Sequence, residues 1–141
     1  MSLDKTVVPI DEEFVFDGGG IIISQTDLKG IITFANRKFC EVSGYKASKL
    51  IGESHNIIRH PDMPKEVFEK MWEQISSGGT WNGLIKNLRS DGKYYWVDTE
   101  ILPIYNNAKE LTGYIAARKP ASDRDIRDAE VLYKKMLDEE Q

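Results

Sequence analysis

The second half of the chain contains three long runs of β-branched and aromatic residues that are separated only by short turns. The runs cover residues 80–89, 94–105 and 111–119, and the turns cover residues 90–93 and 106–109. Parallel neighbours need a crossover connection of a dozen residues or more, so turns this short join antiparallel strands. We therefore predict that three consecutive antiparallel strands close the domain.

Two shorter apolar, β-branched runs lie near the start of the chain. They cover residues 21–24 and 31–34, and the segment 27–30 between them has the composition of a tight turn. These runs predict a hairpin. Asn36 can cap the helix that follows, and Gly44 breaks that helix.

A longer helix is predicted to begin at Pro64, which suits a first turn, and to stop at Gly78 and Gly79. Its apolar side chains recur at spacings of three and four: Val67, Phe68, Met71, Trp72 and Ile75. The whole order predicts an α+β fold, a five-stranded antiparallel sheet with short helices and one longer helix on one face. A small-molecule cavity is expected between sheet and helices.

The chain divides into an N-terminal arm at residues 1–19, a central domain at 20–120 and a C-terminal helix at 121–141. The arm has five apolar side chains that could dock on another surface: Val7, Val8, Ile10, Phe14 and Phe16. The C-terminal helix, capped by Ser122 or Asp123, has one apolar stripe: Ile126, Ala129, Tyr133 and Met136. That stripe is too short for an isolated coiled coil, so we expect it to pack on the domain or on a second copy.

Composition excludes several classes of function. The net charge of −4 gives no basic patch for nucleic acid or a membrane surface, and the single cysteine, Cys40, fits a reducing cytoplasm. No apolar run approaches the roughly 20 residues that span a bilayer, so no direct membrane insertion is expected. Phosphate-binding, nucleophile-elbow and zinc motifs are absent, and His55 and His60 lack a third metal ligand nearby. We therefore expect neither an enzyme nor a metal site.

Residues 53–63 are an irregular stretch rich in chemically active side chains, among them His55, Arg59, His60 and Asp62. A guanidinium fork suits phosphate or a ring carbonyl, and an imidazole titrates near neutral pH. The stretch therefore has two interpretations, a ligand-binding segment or a surface segment. In the second, Arg59 pairs with Asp62, and His60 or Asp62 caps the following helix.

Several segments resemble PAS domains, namely residues 27–36, 43–45, 50–52 and 91–97. A narrower resemblance lies at residues 55–64, HNIIRHPDMP, which is similar to the motif of aerotaxis receptors that hold FAD. Further segments similar to that subgroup lie at residues 81–83, 86–87 and 95–97. The resemblance covers residues 20–120 and implies a PAS sensor domain of the FAD-binding aerotaxis, or energy-taxis, type.

The resemblance also implies a set of cofactor contacts: Arg59, His60, Asp62, Trp72, Trp81, Asn87, Asn36 and Tyr95. Strand alternation puts Trp81, Gly83 and Asn87 on one face, where Trp81 could stack on a flavin and Asn87 could pair with its polar edge. Tyr95 and Trp96 point to opposite faces of their strand, and we favour Tyr95 for the pocket.

Plainer interpretations of the same residues stay open. Trp81 and Trp72 could be core tryptophans, Asn87 could bond to a neighbouring backbone, and Asn36 could be only a helix cap.

The function implied is a flavin-dependent redox or oxygen sensor that catalyses nothing and signals through protein contacts. The expected partner is a chemoreceptor signalling protein or a downstream signalling domain, and the chain is expected to form a homodimer in the cytoplasm. One alternative is a haem-binding oxygen sensor with His60 or His55 as axial ligand. Another is a cofactor-free interaction module that uses the arm and the C-terminal helix.

Overall fold

A five-stranded antiparallel sheet organises the protein, whose residues 7–140 are described by a computed structural model. The elements follow one another as β1 (Ile22–Asp27), β2 (Ile32–Ala35), α1 (Arg37–Ser43), α2 (Ala47–Leu50), a 3-10 helix (His55–Ile58), α3 (Lys65–Ser76), β3 (Trp81–Leu88), β4 (Tyr94–Tyr105), β5 (Leu111–Pro120) and α4 (Asp123–Glu139). The strand order is β2-β1-β5-β4-β3. The predicted α+β class and the five antiparallel strands are confirmed.

The register of the sheet decides which side chains face the helices. Asn87 lies opposite Tyr95 and Gly83 opposite Thr99 across β3 and β4, and Thr99 lies opposite Arg118 across β4 and β5. Residues directly opposite in an antiparallel pair point to the same face. The predicted sharing of one face by Gly83 and Asn87 is therefore confirmed, and Arg118 on the central strand shares it too.

The first helix has the caps that its sequence predicts. The Asn36 side chain accepts a hydrogen bond from the Phe39 backbone N–H at 3.0 Å. Gly44 ends the helix in the left-handed region at φ 80°, a conformation that costs a side-chain-bearing residue extra energy. Phe39 is fully buried, so this short helix closes one end of the core.

Helix α3 departs from the capping prediction. Its N-cap position is Pro64, which makes no side-chain cap, and neither His60 nor Asp62 caps it. Instead the Glu140 carboxylate at the far end of the chain accepts a hydrogen bond from the Glu66 backbone N–H at 3.2 Å. The interpretation in which His60 or Asp62 caps this helix is therefore wrong. The Asp62 carboxylate instead forms an ion pair with Lys86 of β3 at 2.9 Å.

The arm and α4 cover different parts of the domain. The arm runs beside the start of β4, where the Phe14 backbone N–H donates to the Tyr94 carbonyl at 2.7 Å. Helix α4 lies on the opposite face of the sheet from α3, and Tyr133 stacks on Trp96 with ring centroids 6.2 Å apart. The arm's residues 1–6 and Gln141 lie outside the described residues. No helix in the described part is long and apolar enough to cross a membrane.

Candidate ligand cavity

A cavity of about 560 Å³ lies between the inner face of the sheet and the layer formed by α3 and the 3-10 helix. This volume is within the range of small-molecule sites in proteins. The sheet contributes mainly Ser24, Thr26, Ile85, Asn87, Thr99, Ile101, Tyr114, Ala116 and Arg118. The helices and connecting segments contribute mainly Gly30, His55, Ile58, Arg59, Phe68, Met71, Trp72 and Ile75.

Trp72 forms much of the helical wall. Its indole meets the Tyr114 ring edge-on, with centroids 5.7 Å apart. A Cβ on Gly30 would lie 3.1 Å from the same indole, so the glycine lets the β1–β2 turn approach it closely. Gly30 also has φ +85°, which favours glycine independently. Trp72 therefore both packs in the core and lines the cavity.

Arg59 closes the cavity beside α3. Its guanidinium carbon lies 4.2 Å from the centroid of the Phe68 ring, a cation–π contact. Its backbone forms an isolated antiparallel bridge with Asn87 of β3. The structure forms no Arg59–Asp62 ion pair, because the carboxylate of Asp62 pairs with Lys86. The Phe68 ring thus holds the Arg59 guanidinium at the edge of the cavity.

His60 and Asp62 lie behind the cavity wall. His60 is buried, its Nδ1 accepts a hydrogen bond from the Asp62 backbone N–H at 3.0 Å, and its ring meets Tyr94 edge-on. Burial, assisted by the charge of Lys86, lowers the pKa of His60. Burial alone would raise the pKa of Asp62, but its hydrogen bond to Lys86 outweighs that effect and lowers it.

Three other predicted contacts also lie outside the lining. The Trp81 indole packs where a Cβ on Gly83 would be and touches both parts of the core. The Asn36 amide is used by the backbone, donating to the Ile21 carbonyl and accepting from Ile23 N–H. Tyr95 is buried on the inner face of the sheet, edge-on to Phe16 at 6.2 Å. Of the eight predicted contacts, the cavity brings together Arg59, Trp72 and Asn87.

Sequence reasoning missed a buried polar cluster at the sheet side of the cavity. Arg118 Nη2 donates to Ser24 Oγ and lies 2.7 Å from His55 Nε2. Ser24 Oγ is 3.0 Å from the same imidazole nitrogen. The 3-10 helix carries His55 into this position, and stacking on Phe39 at 5.7 Å fixes its ring. The sequence contains one signal for this cluster. Arg118 shares the period-two alternation of Tyr114 and Ala116 along β5, which places it on the same face as those residues.

Electrostatics assigns the protonation states in this cluster. Burial and the adjacent Arg118 charge lower the pKa of His55 to about 3, so its imidazole is neutral at pH 7. Burial lowers the pKa of Arg118 to about 10, which leaves the guanidinium charged at pH 7. His55 Nε2 is then a hydrogen-bond acceptor for Arg118. Two buried polar atoms beside the cavity have no hydrogen-bond partner, Thr99 Oγ1 and Arg118 Nη1.

Comparison with known proteins agrees with this architecture. A family model described as "PAS fold" matches residues 32–118. The chain is 43% identical over 113 residues to the aerotaxis receptor of Escherichia coli strain K12. The aligned residues cover 80% of this chain and 22% of the receptor. It is 32% identical over 102 residues to the nitrogen fixation regulatory protein of Klebsiella pneumoniae, covering 72% of this chain and 21% of that protein.

A solved structure gives the same picture of the fold. The crystal structure of a PAS domain from Colwellia psychrerythraea superposes with a TM-score of 0.66 at 25% identity, covering 72% of this chain and 86% of that one. The chain spans about a fifth of the length of the curated relatives named above. Because the family model covers more than half of its residues, and the fold agrees, this chain belongs to the PAS family.

Proposed function

We propose that this chain is a flavin-binding PAS sensor domain that reports the redox state of bound FAD without catalysing a reaction. The observation that carries the proposal is the composition of the cavity. Apolar side chains from α3 and the sheet form most of its wall, and Thr99 Oγ1 and Arg118 Nη1 lie unpaired beside it. A flavin ring is apolar on its faces and forms hydrogen bonds along one edge, so it fits both kinds of wall.

The residues that would hold the cofactor follow from their chemistry. The Asn87 amide can both donate to and accept from a polar ring edge, and the Trp72 and Phe68 rings offer apolar surface. Arg59, Lys29 and Lys65 place cations at the cavity, which suits the phosphates of FAD. When bound, flavin supplies reversible electron transfer, and the chain binds it, orients it and excludes water. The resemblance of residues 55–64 to FAD-holding receptors supports FAD.

The other five predicted residues are proposed to act as supports or as contacts at the edge of the site. His60 and the Asp62–Lys86 pair tie the segment that carries Arg59 to β3. Asn36 ties β1 to α1, and Trp81 and Tyr95 pack within the core. Their direct contact with a cofactor stays a prediction.

Strand β3 offers a route from the cavity to the surface. Asn87 faces the cavity, and the carbonyl of Leu84 on the same strand accepts a hydrogen bond from the Tyr133 hydroxyl of α4 at 2.7 Å. A change at Asn87 can therefore alter how α4 is held. The partner proposed to respond to that change is a chemoreceptor signalling protein, a downstream signalling domain or a second copy of the chain in the cytoplasm. The similarity to an aerotaxis receptor supports this pathway.

The test is an absorption spectrum of the purified protein, alone and with added FAD, before and after reduction. We expect flavin bands that bleach on reduction. Asn87→Ala should weaken FAD binding by about tenfold or more, since it removes a buried hydrogen-bonding partner. Asn82→Ala, at an exposed position of the same strand, is the matched control and should retain the wild-type affinity.

Two outcomes would overturn the proposal. A protein that is colourless and takes up no FAD would be an interaction module, and its arm and α4 would become the surfaces to study. A haem spectrum would instead make the protein a haem sensor with His60 or His55 as axial ligand.

A further inference from the structure

The guanidinium of Arg118 is a buried charge without a counter-ion in the described protein. Its residue is only 4% exposed on the central strand β5. The ion pairs among residues 7–140 do not include Arg118. An isolated buried charge is strongly unfavourable, so a fold that keeps one at a cavity needs a compensating group.

The neighbours of Arg118 form hydrogen bonds with only one of the two terminal nitrogens of its guanidinium, Nη2. Ser24 Oγ and His55 Nε2 occupy the two N–H bonds of Nη2, each at 2.7 Å. The Phe39 ring, 5.0 Å from the guanidinium carbon, contributes a cation–π contact. His55 is neutral at pH 7 and cannot balance the charge. Nη1 keeps its N–H bonds without a partner, on a residue that lines the cavity.

We propose that Arg118 is the charge partner of an anionic ligand form in this cavity, and that it favours reduced FAD in its singly deprotonated state. The inference rests on the proposed function. On reduction, oxidised flavin takes two electrons from a chemical reductant and one proton from water, and the ring keeps one negative charge. Arg118 then binds the reduced form more tightly than the oxidised form, which raises the reduction potential of the bound cofactor.

The test measures the midpoint potential of FAD bound to the full chain, titrated with dithionite beside a reference dye. In Arg118→Gln the side chain can still reach Ser24 and His55 but carries no charge. The ratio of the affinity for reduced FAD to the affinity for oxidised FAD should therefore fall at least tenfold. That change equals about 30 mV for two electrons. Arg118→Lys keeps the charge and should stay closer to wild type. Arg37→Gln, whose side chain is 92% exposed, is the neutral control.

The pH dependence of the wild-type potential gives a second readout that needs no variant to fold. Uptake of one proton with two electrons predicts a slope of about 30 mV per pH unit between pH 6.5 and 8.5, whereas uptake of two protons gives about 60 mV. The steeper slope would overturn the inference, as would an unchanged potential in a folded Arg118→Gln protein. A wild-type chain that takes up no FAD would overturn the proposed function itself.

Discussion

At the scale of single residues, His55 couples the stability of the protein to pH. Its pKa is about 3 in the folded protein and about 6.5 in an unfolded chain. Between these two values the unfolded chain binds a proton that the folded protein does not. The contribution of His55 to the free energy of unfolding is therefore largest above pH 6.5, and it decreases as the pH falls toward 3.

We expect protonation of His55 in the unfolded chain to lower the free energy of unfolding of the wild-type protein by about 2 kcal/mol between pH 7 and pH 5. In His55→Gln, whose amide can still accept a hydrogen bond from Arg118, the decrease in the free energy of unfolding over the same interval should be smaller by about 2 kcal/mol. Urea unfolding curves at the two pH values measure the difference. Arg37→Gln serves as a surface control and should show the full wild-type loss. Equal losses in wild type and His55→Gln would contradict the assigned protonation state.

The residues that line the cavity differ in how well their positions can be predicted from the sequence. Asn87 was predictable because strand alternation alone places it on the inner face, and Trp72 because helical spacing places it toward the core. Ser24, His55 and Arg118 come from a first strand, a 3-10 helix and a last strand. Only tertiary structure brings them together, and an arginine in a strand is as readily solvent-facing as buried.

At the scale of elements, α4 is attached to the cavity wall by few polar contacts. The Tyr133 hydroxyl donates to the Leu84 carbonyl, and the ring stacks on Trp96. At the other end, Glu140 accepts from the first turn of α3. The outer helix therefore touches both a strand and a helix that line the cavity.

Tyr133→Phe isolates the polar part of this attachment. It removes one hydrogen bond, keeps the ring stacking, and should lower stability by about 0.5–1.5 kcal/mol. Amide hydrogen exchange should become faster along α4, while central strands β1 and β5 stay protected. Tyr105→Phe is the matched control, since that hydroxyl is exposed and lies 3.5 Å from its nearest acceptor. Unchanged exchange in α4 would show that stacking alone holds the helix.

Element boundaries were predictable where a periodic pattern met a strong breaker. Strand β4 was expected at 94–105 and lies at Tyr94–Tyr105, between two turn segments. The 3-10 helix at His55–Ile58 was not predicted, because four residues hold too little periodicity to be distinguished from a loop. The capping of α3 by Glu140 is a contact across 74 positions that no local signal contains.

At the scale of the whole molecule, the arm closes the end of the core that the sheet and α1 leave open. Phe14 lies under the Arg89 guanidinium at 3.8 Å, and Phe16 lies edge-on to buried Tyr95. Backbone hydrogen bonds from Ile10 and Phe14 to the β3–β4 hairpin and β4 hold the arm in place. The arm therefore acts as part of the domain within one chain.

This arrangement predicts different effects for alternate residues of the arm. The double change Phe14→Ala and Phe16→Ala removes two half-buried rings from the core and should lower the free energy of unfolding by about 2–4 kcal/mol. Val15→Ala, between them and 79% exposed, should change it by less than about 0.5 kcal/mol. Urea unfolding compares the variants, and light scattering gives their mass in solution. One result would contradict this expectation: a double variant with half the wild-type mass in solution and an unchanged free energy of unfolding. The two rings would then form contacts between two copies of the chain and would not belong to the domain core.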